Sequence, residues 1–112
     1  MRIIILIIFL IPIFALADDV VCPVGATLKG ETTPDSREAW CEIMHEGKMV
    51  MHGPYKTWWS NGNLASVGTY KYGKMVGKWE GWFEGGRYKG SETYDDNGVL
   101  IASDVREKDK SK

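Results

Sequence analysis

A short internal repeat is the feature of this sequence that most limits its fold. Shifting the chain by 24 positions places glycine on glycine and aromatic ring on aromatic ring six times. The superposed pairs are Gly53/Gly77, Tyr55/Trp79, Trp58/Trp82, Trp59/Phe83, Gly62/Gly86 and Tyr70/Tyr94. Such a repeat indicates one supersecondary unit per period, stacked so that neighbouring units bury a shared surface. The chain is therefore expected to be a small repeat protein.

Each unit has the pattern of a β-hairpin. The segments YKTWW and WEGWF are rich in aromatic residues, which favour strands. They are followed by SNGN and EGGR, and Asn-Gly and Gly-Gly tolerate the positive φ of tight hairpin turns. LASVGTYKY and YKGSETYD then continue as strands, and residues 18–112 show no convincing helical period. The predicted fold is all-β: a single-layer antiparallel meander of stacked β-hairpins.

Strand alternation divides the aromatic residues between two faces of this sheet. Tyr55, Trp59, Trp79 and Phe83 fall on one face and are expected to form the core stripe. Trp58 and Trp82 fall on the opposite face, which also carries Lys and Glu. We favour the interpretation that these two rings cover the sheet or stack on Tyr70 and Tyr94. The alternative is an exposed aromatic platform, which makes Trp58 and Trp82 the candidate ligand-binding residues.

Residues 1–17 have the pattern of a secretory signal peptide. One positive charge at Arg2 precedes an apolar run that ends in Ala15-Leu16-Ala17, the small-x-small pattern of a cleavage site. We expect cleavage after Ala17 and export to the periplasm or the extracellular space. An uncleaved N-terminal anchor is the alternative, disfavoured because a membrane span needs about 20 apolar residues.

Two cysteines remain in the exported chain, Cys22 and Cys41. An even pair in an exported chain predicts a disulfide, and a redox-active pair would favour a C-x-x-C spacing that is absent here. The expected organisation is a signal peptide (1–17), a disulfide-stapled N-terminal segment (18–46), a repeat sheet (47–101) and a flexible charged tail (102–112).

Charge and residue spacing argue against several function classes. The net charge of −1 gives no basic face for nucleic acid. His45 and His52 lack neighbouring ligands for zinc, and the sequence YDDNG is explained by turn chemistry better than by a calcium loop. Glu80 and Glu84 are typical of a solvated strand face. We predict no catalytic residue, no metal and no cofactor.

The stretch HGPYKTWWSNGNLASVGTYKYGKMVGKWEGW closely resembles bacterial MORN-variant repeats of the YwqK-like group. The first unit matches their pattern at Gly53, Tyr55, Trp58, Asn61, Gly62, Leu64, Gly68, Tyr70, Gly73 and Gly77. The second unit is looser, with Gly85-Gly86 in place of Asn-Gly, and the third survives only as DDNGVL. The resemblance implies MORN-like repeats that form a sheet used for binding or scaffolding.

This resemblance and the signal peptide together predict a non-catalytic exported module that binds another protein of the cell envelope. Some relatives of this group are labelled antitoxins, and eukaryotic MORN repeats are associated with phospholipid and protein partners. Two alternatives therefore stay open. One is binding to a carbohydrate or phospholipid surface through Trp58 and Trp82, and the other is an antitoxin-like or immunity-like inhibitor.

Overall fold

A computed structural model describes residues 20–106 as one seven-stranded sheet. The strands are β1 (Thr27–Thr32), β2 (Ser36–His45), β3 (Lys48–Trp59), β4 (Leu64–Lys71), β5 (Lys74–Trp82), β6 (Tyr88–Tyr94) and β7 (Leu100–Val105). Each strand pairs antiparallel with the next, so their order in the sheet is their order in the chain. This confirms the predicted antiparallel meander of hairpins. The predicted signal peptide and its cleavage site lie outside the described residues.

No helix occurs in residues 20–106, so this part of the chain contains no helix able to cross a membrane. From β2 onwards, a glycine stands in the turn of every hairpin among the described residues. Two connections are two-residue turns, Glu46-Gly47 and Tyr72-Gly73, in which both residues have positive φ. This is the conformation that matches the right-handed twist of the flanking strands. The regular return of such turns is what makes the chain a meander.

The other three described turns of the repeat region share one hydrogen-bonding pattern. Each begins with a residue that exchanges backbone hydrogen bonds across the turn, Trp59, Phe83 or Asp95, at donor–acceptor distances of 2.8–3.0 Å. In each, a glycine with positive φ stands three positions later. At the third turn the Asp95 carboxylate also accepts hydrogen bonds from the Asn97 and Val99 backbone N–H groups, both at 2.9 Å. The YDDNG sequence therefore forms a turn, as predicted.

The N-terminal segment is fastened to the sheet by the Cys22–Cys41 disulfide, which confirms the predicted pairing. Cys41 lies in β2 and is only 1% exposed. Pro23 packs so closely on Gly53 of β3 that a Cβ at this position would lie 2.7 Å from the proline ring. A disulfide is consistent with an oxidising, exported compartment.

The sheet extends beyond the boundaries expected for the repeats. β1 and β2 lie in the segment 18–46, and β2 pairs with β3 along nearly its whole length. β7 runs to Val105, so it overlaps the stretch 102–112 that was expected to be a flexible tail. Its backbone pairs with β6, from Gly90 opposite Val105 to Tyr94 opposite Leu100. Backbone pairing, which local charge does not reveal, explains the difference.

Candidate binding surfaces

Three aromatic rings interlock the first two repeat units. Tyr55, Tyr70 and Trp79 lie with ring centroids 5.0–5.5 Å apart. The Trp79 ring lies against Gly68, the register partner of Tyr55, where a Cβ would overlap the indole. We call these four residues the aromatic cluster. The expected core stripe contained Tyr55 and Trp79 but neither Tyr70 nor Gly68.

The expected core stripe is only partly buried. Tyr55, Trp59, Trp79 and Phe83 are all half-buried, because a single-layer sheet has no second layer to cover them. The buried apolar side chains among the described residues are Val20, Cys41, Trp58 and Val76. The prediction that the stripe forms the core is thus corrected: burial is deepest on the other side, beneath the N-terminal segment and around Trp58.

Trp58 is 4% exposed, and the Arg37 guanidinium carbon lies 3.9 Å from the centroid of its ring. Arg37 and Trp58 are register partners on adjacent strands, so their side chains emerge on the same face. An indole that stacks on a ligand needs a free ring face. Trp58 therefore covers the sheet, as the favoured interpretation held, although its partner is Arg37 and not a tyrosine.

Trp82 is half-buried and makes an edge-on contact with Tyr88, with ring centroids 5.8 Å apart. The Tyr88 hydroxyl donates a hydrogen bond of 2.8 Å to the Glu80 carboxylate. Trp58 and Trp82 thus occupy equivalent positions in the repeat but have different neighbours. They do not form one joint platform.

The two histidines considered as metal ligands instead enclose a tyrosine. The Tyr72 ring stacks between His45 and His52, at centroid distances of 4.3 and 4.0 Å. The Tyr72 backbone N–H donates to His52 Nδ1 at 3.0 Å. This arrangement stabilises a turn residue at φ 45°. Across residues 20–106, no group of three or more His, Cys, Asp or Glu side chains is placed to hold a metal ion.

Side-chain donors of the first repeat turn bond to backbone carbonyls of the second. Trp59 Nε1 donates to the Trp82 carbonyl at 3.1 Å. Asn61 and Asn63 both donate their side-chain amides to the Glu84 carbonyl, at 2.8 and 2.9 Å. These three bonds hold the two turns in register, and we call them the turn ladder.

Replacing Asn61 with aspartate should test the turn ladder. Asn61 Oδ1 also accepts a hydrogen bond from the Asn63 backbone N–H. Aspartate keeps this acceptor, loses the donor and sets a carboxylate against the Glu84 carbonyl. We expect the free energy of unfolding in urea to fall by about 1–2 kcal/mol. Asn97→Asp is the matched control, because Asn97 holds the same position in the third turn and its amide donates to no described residue; equal losses would refute the ladder.

A groove opens beside the second unit, where the first unit has the aromatic cluster. It has a volume of about 200 Å³, and the paired glycines Gly81 and Gly90 are among the residues that line it. We call it the terminal groove; Met75, Trp79, Tyr94 and Val105 are among its lining residues. One repeat period beyond Trp79 stands Ser103, so the position that should supply the filling ring carries a small side chain. That substitution in the repeat was the available sequence signal for the groove.

Electrostatics of the aromatic cluster are set by burial and by Glu38. Burial, followed by the nearby Glu38 carboxylate, raises the pKa of Tyr55 to about 12. The same two causes raise the pKa of Tyr70 above its usual value. At neutral pH both tyrosine hydroxyls are therefore protonated and uncharged.

Alkaline titration should reveal the raised pKa values of Tyr55 and Tyr70. The folded state holds the Tyr55 proton more tightly than the unfolded state does, so the stability that this provides is present below pH 10 and is lost as the pH rises towards 12. We expect the tyrosinate absorbance at 295 nm to rise at a higher pH in the folded protein than in the unfolded chain. Glu38→Gln should move the Tyr55 ionisation to lower pH, because it removes a negative charge. An unchanged titration in this variant would contradict the role of Glu38.

Searches of protein-family models, of curated proteins and of solved structures each found no match to this chain.

Proposed function

We propose that this protein is a non-catalytic repeat module of the MORN type, exported to the periplasm or the cell exterior, that binds another protein of the envelope. The observation that carries the proposal is the exposure of apolar side chains on a single-layer sheet. Large exposed apolar surface on a folded protein often marks an interaction site. The disulfide supports the exported compartment.

The exposed apolar side chains fall into separate groups. Met44 and Met49, 61% and 50% exposed, are register partners at the end of the β2–β3 hairpin, where Tyr72 is also exposed. A second group, on and beside β7, contains Val99, Leu100, Ile101 and Val105. A glycan or phospholipid surface is the weaker alternative: Trp58 is covered by Arg37, so only Trp82, with Tyr88, retains part of that role.

Site-specific photo-crosslinking in the cells that produce the protein tests this function. A benzophenone amino acid is placed in turn at Met44, Met49 and Ile101, with Gly85, in the second repeat turn, as the comparison. We expect one discrete protein adduct from a confined set of these positions. Absence of any protein adduct, or the same diffuse adducts from every position, would refute protein binding. Recovery of glycan or lipid in place of protein would favour the alternative.

A further inference from the structure

The outer edge of β7 is not paired with any strand in residues 20–106. All of its residues are exposed. The Arg106 backbone N–H bonds to the Lys89 carbonyl at 2.8 Å, so this position faces β6. Hydrogen-bonding direction alternates along an antiparallel strand. The N–H and C=O groups of Ser103 and Val105 therefore point away from the sheet and are open to another strand.

The two edges of the sheet differ in their protection. Charged side chains on an edge strand discourage pairing with other chains. β1 carries two charged side chains, Lys29 and Glu31. β7 carries one charge, Asp104, and its Leu100 and Ile101 side chains are 48% and 63% exposed. β7 is thus the edge more open to strand addition.

The terminal groove gives this edge a side-chain pocket. In the register of the sheet, Tyr55 lies opposite Gly68 and Trp79 lies opposite Glu92. Ser103 is one repeat period beyond Trp79. In a strand added to β7 in the same register, the residue opposite Ser103 would therefore be the equivalent of Gly68 and Glu92. A large side chain at that point would lie over the small Ser103 and reach towards the groove.

We propose that β7 accepts an extended strand of a partner protein, and that one large apolar or aromatic side chain of this strand fills the terminal groove. The proposal rests on the protein-binding function and names its surface. Main-chain hydrogen bonds would provide affinity and the groove would provide selectivity. A second copy fits less well, because its β7 has no aromatic residue to offer. Pairing of two such short strands also falls short of the roughly 1,200 Å² that stable interfaces bury.

Two labelled peptides provide the probe. The first has the sequence of β4, LASVGTYK. β3 is the strand equivalent to β7 two repeat units earlier, and β4 is the strand that pairs with β3 on the corresponding side. The second has tryptophan at its fifth position, which corresponds to Gly68. Binding to the oxidised exported chain is measured by fluorescence anisotropy. We expect the tryptophan peptide to bind about tenfold more tightly, given the area that an aromatic ring buries.

Ser103→Pro tests the edge itself. Proline is tolerated on an edge strand where the N–H faces solvent, so β7 should stay paired with β6. We expect binding of both peptides to weaken about tenfold or more. Leu28→Pro is the matched control: Thr33 N–H bonds to the Ser36 carbonyl, so by alternation the Leu28 N–H also points outward, but from β1. It should leave peptide binding unchanged.

Ser103→Trp separates the groove from the edge. The new ring occupies the position equivalent to Trp79 and competes with the tryptophan of the second peptide for the groove. The tenfold preference for that peptide should therefore disappear, while the first peptide, with glycine at its fifth position, still binds. Circular dichroism and urea midpoints verify that each variant is folded. Retention of the preference in Ser103→Trp would overturn the role of the groove.

The outcomes distinguish this proposal from the function on which it rests. If Ser103→Pro forms the same photo-crosslinked adduct in cells as the parent, the protein-binding function stands and the β7 proposal is wrong. If the parent gives no adduct at all, the function itself fails. If light scattering shows a dimer of the parent that Ser103→Pro converts to a monomer, the occupant is a second copy and the proposal of a different partner is overturned.

Discussion

Replacing Gly68 with alanine is expected to lower the free energy of unfolding by about 3 kcal/mol. A methyl group at this position overlaps the Trp79 ring, and the ring cannot retreat without leaving Tyr55 and Tyr70. The aromatic cluster links β3, β4 and β5, so its loss should weaken the contact between repeat units. Urea unfolding followed by tryptophan fluorescence measures the change.

Gly81→Ala is the matched control for this substitution. Gly81 is also a strand glycine, but a Cβ there would lie 3.6 Å from the Ala65 carbonyl, which is ordinary contact. We expect a change within about 0.5 kcal/mol. If the two variants lose equal stability, the cost is a general property of strand glycines and the aromatic cluster is not what links the units.

Removing the disulfide by Cys22→Ala should cost about 3 kcal/mol. The bond closes a loop between cysteines 19 positions apart, and in the chain-entropy model that constraint destabilises the unfolded state by this amount. Cys41 stays in place, so the variant does not leave a cavity at that buried position. Urea unfolding of the variant and of the chemically reduced parent should give the same midpoint, well below that of the oxidised parent.

Two outcomes bear on this interpretation. In the Cys22→Ala variant, faster exchange of amide protons in β2 and β3 than in the parent would indicate loss of the Pro23 contact with Gly53. That result would show that the disulfide also holds the N-terminal segment on the sheet. Equal midpoints for the oxidised and reduced parent would contradict a stabilising role for the disulfide.

Local sequence signals predicted the strands and turns well, because those signals act over a few residues. Asn61-Gly62 and Gly85-Gly86 mark turns, and the structure has a glycine with positive φ at the second residue of each pair. The disulfide between Cys22 and Cys41 could be predicted because they are the only two cysteines in the chain. Strand alternation correctly placed Tyr55 and Trp79 on one face, where their ring centroids lie 5.5 Å apart across the two units.

Alternation along a strand did not predict which aromatic rings are buried. It assigns side chains to faces, but burial depends on what lies above each face. Arg37 comes from a neighbouring strand and covers Trp58, and a register shift between Thr57 and Trp58 changes the pairing beside it. Neither the cover nor the shift is encoded in the segment PYKTWW alone.

The sequence by itself determined the repeat, the hairpins, the direction of the strands and the disulfide, because each follows from short spacing, turn chemistry or the number of cysteines. Only the tertiary structure decided that Tyr70 and Gly68 complete the aromatic cluster, that two histidines enclose Tyr72, and that a groove and an open edge lie beside β7. These features depend on register between strands, where a shift of one residue moves a side chain to the opposite face. That register is set by all the pairings of the sheet together.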